Sequence, residues 1–245
     1  MEKLPIKLEK DPIVEAVFEM RFSIGSDQAA DLIPGIIFSK LRNDFPKIES
    51  LPIAQIPKVI RDQNPEFRYQ ASRRLIGEPL LISLGDRVAG TSCRKPYIGW
   101  AAFQPVILRL IHLLKETALI QQVERFSLKY INLLSGANPK EQFSHTRFSA
   151  SLDQINLIEQ LTQVRTEIIE REFINIVEIA ANTAVREASG KTSSGLLLSI
   201  DTICNNPNDF WANAESLLKD AHEVEKSIFF SALTEETIEA LRPIW

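Results

Sequence analysis

The stretch from Gly99 to Leu134 constrains the fold most, because its hydrophobic period changes once and cleanly. Phe103, Ile107, Leu110, Ile111 and Leu114 recur at the spacing of one stripe on an amphipathic helix. Beyond KETALIQQ the period becomes two. Phe126, Leu128 and Tyr130 then point one way and Arg125, Ser127 and Lys129 the other, as in a half-buried strand. A helix feeding such a strand must bury one face of each, which demands a layered fold.

The other segments supply the layers. Residues 13–22 alternate, with Val14, Ala16, Phe18, Met20 and Phe22 on one face and Glu15, Glu19 and Arg21 on the other. Ser26 or Asp27 can cap a helix reaching Phe45, with Leu32, Ile36, Leu41 and Phe45 inside and Pro34 interrupting its first turns. Four prolines in residues 46–65 imply an extended connector with a short edge strand around Ile53 to Ile60. Phe67, Tyr69 and Ala71 alternate as a second strand, and PLLISLG and RVAGTSC follow as a meander turning at Gly85-Asp86. Residues 146–152 read as a short strand. Residues 163–187 read as long strands broken near Glu170-Arg171, and the FINIVEIAANTAV part is apolar on both faces, as an interior strand is. LLLSIDTIC is the last strong strand. A long helix from about Phe210 to Phe230 and a short one opening at Thr234 close the chain.

This pattern predicts an α+β fold: a mainly antiparallel sheet with long helices packed on one face. SGANPK marks a boundary between an N-terminal α+β half, residues 1–135, and a C-terminal half, residues 136–245, with one continuous domain as the alternative. A short echo between LISLGD…GWAAF and LLSIDT…FWANA, with Trp100 and Trp211 opening the two helices, points to pseudo-repeated halves.

Composition narrows the function classes. The net charge of −4 argues against a non-specific nucleic-acid binder, which would carry a basic excess. The two cysteines, Cys93 and Cys204, form no CxxC pair, which excludes a cysteine-based zinc site and fits a reducing cytoplasm. The first twelve residues hold no apolar run of a signal peptide, and no run is long enough to span a membrane, so the expected location is cytoplasmic.

No compact catalytic set is visible. His112, His145 and His222 form no HxxxH or HxH, so a metal would need long-range assembly with Glu223 or Asp220; the expectation is boundary histidines and no cofactor. Glu15 and Glu19 on a strand lie about 13 Å apart, beyond the roughly 5–9.5 Å of a glycosidase pair. SGKTSSG lacks the GxxxxGK[ST] phosphate-binding pattern. Cys204 ends a strand, where thiols are usually buried and inert. Asn132 falls on the apolar face of its strand and reads as a buried structural pin. The polar set that stands out is Arg73, Arg74, Arg94, Lys95, Arg125 and Lys129 with Tyr69, Tyr97 and Tyr130, a pattern that can bind single-stranded nucleic acid or an anion. Scattered surface charge is the competing reading.

GW..F at Gly99, Trp100 and Phe103, ERFSLKYIN at 124–132, DPIVEAVFEMRF at 11–22 and F..ALTEE with the terminal Trp at 229–245 together resemble a sporadically distributed family of uncharacterised prokaryotic proteins of about this length. The resemblance spans essentially the whole chain. It departs at Lys129, where an Arg is usual, which removes a planar fork able to grip a carboxylate. The resemblance implies no catalytic residue or cofactor, and for some members a role as accessory proteins of mobile or defence gene sets.

The first expectation is therefore a non-catalytic binding module with a protein partner. An RNA- or DNA-binding module using the basic and aromatic strand face is the alternative, and an enzyme with a dispersed active site is the third. A cleft uniting His112 or His222 with an acid and a thiol would point to that enzyme.

Overall fold

The computed structural model describes residues 4–186, 190 and 192–245. In chain order it runs β1 (Lys7–Leu8), β2 (Ile13–Ile24), α1 (Asp27–Leu41), β3 (Lys47–Ser50), α2 (Lys58–Gln63), α3 (Pro65–Arg68), β4 (Arg73–Gly77), β5 (Leu80–Leu84) and β6 (Val88–Arg94). It continues through α4 (Trp100–Glu116), β7 (Ile120–Leu134), α5 (Pro139–Phe143), β8 (Ser151–Leu152), β9 (Ile155–Asn156), β10 (Gln163–Glu170), β11 (Phe173–Arg186) and β12 (Thr192–Asn205). It ends with α6 (Phe210–Ala232), α7 (Glu235–Ala240) and β13 (Pro243–Ile244).

The centre is a nine-stranded antiparallel sheet, in the order β10-β11-β12-β7-β2-β6-β5-β4-β3. The fold is α+β, as the alternation of strand and helix patterns predicts. Register places Phe18 of β2 beside Leu128 of β7 and Thr91 of β6, and Ile200 of β12 beside Tyr130, so these side chains share one face. They form one core with Ile33 and Ile37 of α1, Ile107 and Leu110 of α4, and Leu218 and Val224 of α6. Each fully buried Phe or Ile contributes about 1.5–3 kcal/mol relative to exposure. The sheet continues across residue 135, because β12 pairs with β7 from Leu196↔Leu134 to Asn205↔Arg125.

Apart from the edge strand β3, the strand order is symmetric about the β2–β7 pair. On one side β6, β5 and β4 run outward from β2; on the other β12, β11 and β10 run outward from β7. Each side reads strand, helix, three-stranded meander, helix: β2, α1, β4–β6, α4, then β7, the short α5, β10–β12, α6. The topological repeat therefore divides at residues 117–119, and β7 opens the second unit. The sequence echo does not follow this repeat: β12 leads straight into α6, whereas β6 intervenes between LISLGD and α4.

Local chemistry explains most boundaries. Gly99, at φ 83°, turns the chain into α4. Ser26 caps α1 by accepting from Ala29 N, and Thr234 caps α7 by accepting from Thr237 N. Arg171, at φ 54°, sits in the turn between β10 and β11, where the break was expected.

Several expectations fail at this level. Pro34 does not interrupt α1, which continues through it at the loss of one backbone hydrogen bond. In α1 Ile33 and Ile37 take the buried places expected for Leu32 and Ile36, with Leu32 55% exposed, while Leu41 and the following Phe45 are buried as expected. The edge strand lies at Lys47–Ser50, and the residues from Ile53 to Ile60 hold a 3-10 turn and the start of α2. Phe67 is in α3, because Asn64 accepts from Glu66 N and Pro65 starts the turn. Strand β8 covers only the end of the 146–152 expectation. The SGKTSSG loop lies partly outside the described residues, and from Thr192 the chain is already in β12. No described helix is long and apolar enough to cross a membrane.

Candidate functional site

A cavity of about 310 Å³ lies against β7 near the start of β2. Three segments close it. The N-terminal strap brings Ile6, Leu8 and Asp11, and is held by β1–β13 pairing and by Ile6 N donating to Ile244 O. The turn before α4 brings Tyr97, Ile98 and Trp100, and the last turns of α6 bring His222, Glu225, Phe229 and Phe230. β7 forms the floor with Tyr130 and Asn132.

Within it runs a chain of polar contacts. The Tyr97 and Tyr130 hydroxyls are 3.1 Å apart, and Tyr130 Oη lies 3.4 Å from His222 Nδ1. The two tyrosine rings meet edge to face with centroids 5.8 Å apart. The His222 ring stacks on Trp100. Asn132 is the expected buried pin: it is 1% exposed and its Nδ2 donates to Leu198 O across the β7–β12 ladder.

Glu225 is the anomaly. It is 4% exposed, and burial pushes its carboxyl up to about 8, with Lys226 acting in the opposite direction. No hydrogen bond from the described residues reaches that carboxyl. Burial, followed by Lys226, pushes His222 down to about 3, so its imidazole is neutral at pH 7. Burial raises both tyrosine hydroxyls, and Asp11 is raised by its own burial. At neutral pH the interior of the cavity is therefore an uncharged set of hydrogen-bonding groups inside aromatic walls, with Asp11, Lys7 and Lys226 as its charged lining residues.

A neighbouring cavity of about 410 Å³ shares Asp11 and Pro12. Its histidine is already engaged: His145 Nε2 donates to Ser135 O at 2.7 Å, and Nδ1 is 3.3 Å from Thr237 Oγ1. Among the described residues its lining holds no carboxyl as buried as Glu225.

Of the six basic residues singled out in the sequence, Arg74, Arg94, Arg125 and Lys129 project from one face of the sheet and Arg73 from the other. Arg73 shares the core-side face with Leu75 and donates to Ser72 O, whereas Arg74 faces the other way and lies 3.3 Å from Glu49. Arg94 lies 3.9 Å from Glu15, and Arg125 lies 3.7 Å from Asp201. Lys129 is registered between Val17 and Asp201, and the backbone N of Lys95 donates to Val14 O beside the second cavity. Tyr69 packs under the Arg21 guanidinium at 4.9 Å and donates to Glu124 Oε2. This face alternates acids with bases.

Of the sequence candidates, Tyr97 and Tyr130 do meet, but they meet His222 and Glu225 rather than the arginines. Sequence reasoning missed Glu225. Its signal was present: Ala214, Leu218, Ala221, Glu225 and Ile228 follow one helical stripe, so an acid occupies a core position. Cys93 is fully buried with Sγ 3.6 Å from Arg94 O, and the cavity wall does not include it. Among the described residues no group of three or more His, Cys, Asp and Glu is placed to hold a metal ion. No protein-family model matches the chain, and no curated protein is significantly similar to it.

Proposed function

We propose that the protein is a binding protein for a small organic molecule held in the cavity between α4, α6 and the N-terminal strap. Glu225 carries the reading. The residue is 4% exposed, no hydrogen bond among the described residues is made to its carboxyl, and it lines a cavity where a ligand can supply a partner. The volume sits at the lower end of the roughly 300–1,000 Å³ range of small-molecule sites. Mostly apolar walls with a few convergent polar groups match such sites in kind. The resemblance drawn from the sequence implies no activity, so the reading rests on this cavity.

The test is ligand-observed NMR with a library of small aromatic fragments, against the wild-type chain and an Ile98→Trp plug variant whose fold is checked by circular dichroism. The proposal expects fragments that bind the wild type and lose binding in the plug variant. Equal binding to both, or no binding to the wild type, contradicts it.

One observation favours a second reading, acid–base chemistry on the bound molecule. A carboxyl titrating near 8 beside a neutral imidazole is poised to exchange protons at neutral pH. Conversion of a bound fragment, abolished by Glu225→Gln with binding retained, would select this reading.

A further inference from the structure

The chemistry of the cavity lining indicates which kind of molecule belongs there. We infer that the site recognises a small aromatic or aliphatic ammonium group, with the Glu225 carboxylate as its counter-ion and the surrounding aromatic rings as its cage. This rests on the ligand-binding reading above.

Two observations favour a cation. First, the walls carry Tyr97, Trp100, Tyr130, Phe229 and Phe230, and the negative faces of such rings attract ammonium groups. Second, no hydrogen bond among the described residues is made to the Glu225 carboxyl or to Asn132 Oδ1, and an ammonium offers only donors to such acceptors.

The charged and titratable groups around Glu225 set the proton balance. Lys226 adjoins it on α6, lines the same cavity and lowers the Glu225 carboxyl against the larger effect of burial. His222 is one turn away and neutral, Tyr97 and Tyr130 face it from the α4 approach and β7, and Asp11 and exposed Lys7 lie on the strap. Cys93 is behind the tyrosines. None of these is a buried cation paired with Glu225, so the free site holds a protonated carboxyl. When R–NH3⁺ enters, the Glu225 O–H breaks, its proton passes to solvent and the new ion pair forms. Below pH 8, each ligand bound releases about one proton.

Benzylammonium, benzyl alcohol and benzoate share one ring and differ in the polar group. Isothermal titration of the full chain with each, at pH 6.5 in two buffers of different ionisation enthalpy, reads affinity and proton release together. The expected result is benzylammonium binding about tenfold tighter or more than the other two, with proton release, and with Glu225→Gln cancelling both the preference and the release. Benzyl alcohol or benzoate binding the wild type as tightly as benzylammonium overturns the ammonium assignment and leaves the ligand-binding reading in place. No binding of any of the three overturns both. A preference that survives in Glu225→Gln assigns the selectivity to groups other than Glu225 and overturns its role.

Discussion

The Trp100 indole lies flat on the His222 imidazole, with ring centroids 4.1 Å apart and planes 13° apart. The stack joins the first turn of α4 to the middle of α6 and covers one face of a histidine that burial keeps neutral. The folded value of about 3 is below the ordinary 6.5. Stability from this group is therefore present above pH 6.5 and lost as the pH falls toward 3, by up to about 1.4 kcal/mol per pH unit. His222→Phe keeps a stacked ring and removes the titration. Urea unfolding at pH 7, 5.5 and 4 should show a shallower acid loss in the variant; identical slopes would contradict the burial.

Glu225 gives the opposite dependence. Its folded value of about 8 is above the ordinary 4.5, so its contribution is fully present below pH 4.5 and is lost as the pH rises through 8. Glu225→Gln should match the wild type at pH 4 and exceed it by a few kcal/mol at pH 8.5. The check is the pH series of urea midpoints.

On the opposite face of the sheet, Arg125 and Arg21 are direct cross-strand partners of like charge. Burial first, then Arg21, lowers the Arg125 guanidinium, while Asp201 and Glu19 support its charge. Arg125 and Asp201 are 22% and 19% exposed, and Arg125 Nε and Asp201 Oδ1 have no hydrogen-bond partner among the described residues. Asp201→Asn should cost about 1–3 kcal/mol by leaving Arg125 beside Arg21 with only Glu19 to support its charge, and Arg125→Gln in the same chain should restore part of it. Thermal unfolding of the single and double variants reads this coupling.

Two glycines should respond in opposite directions. A Cβ on Gly90 would lie 2.4 Å from the Phe18 carbonyl oxygen, in the tightest part of the β2–β6 pairing, so Gly90→Ala should cost about 2 kcal/mol or more. Gly35, inside α1, has nothing within 4 Å, and Gly35→Ala should stabilise by about 0.5–1 kcal/mol. Unfolding midpoints of the two variants supply the comparison.

The elements legible in the sequence are those whose burial pattern is long and one-sided. Phe103, Ile107, Leu110, Ile111 and Leu114 are all buried in α4, and the even-numbered residues of β2 from Ala16 to Ile24 are all in the core. Short alternations were less informative: Phe67, Tyr69 and Ala71 have strand spacing, but the Asn64 cap and Pro65 make a helical turn first. In α1 the packing partners chose Ile33 and Ile37 over Leu32 and Ile36, a choice that local periodicity does not make. The cavity was invisible for a different reason. Its polar groups come from the α4 approach, β7 and α6, so no local motif carries them. The alternation of β4, β6 and β7 placed Arg74, Arg94, Arg125 and Lys129 on one face, and the acids set beside three of them come from other strands, which local sequence does not show.

The most direct measurement is a carbon-13 NMR titration of the Glu225 carboxyl, assigned through Glu225→Gln, in the free protein and with benzylammonium present. The account predicts a midpoint near 8 in the free protein that falls when the ammonium binds. A midpoint near the ordinary 4.5, unchanged by benzylammonium, would contradict a desolvated Glu225 carboxyl as the centre of the site.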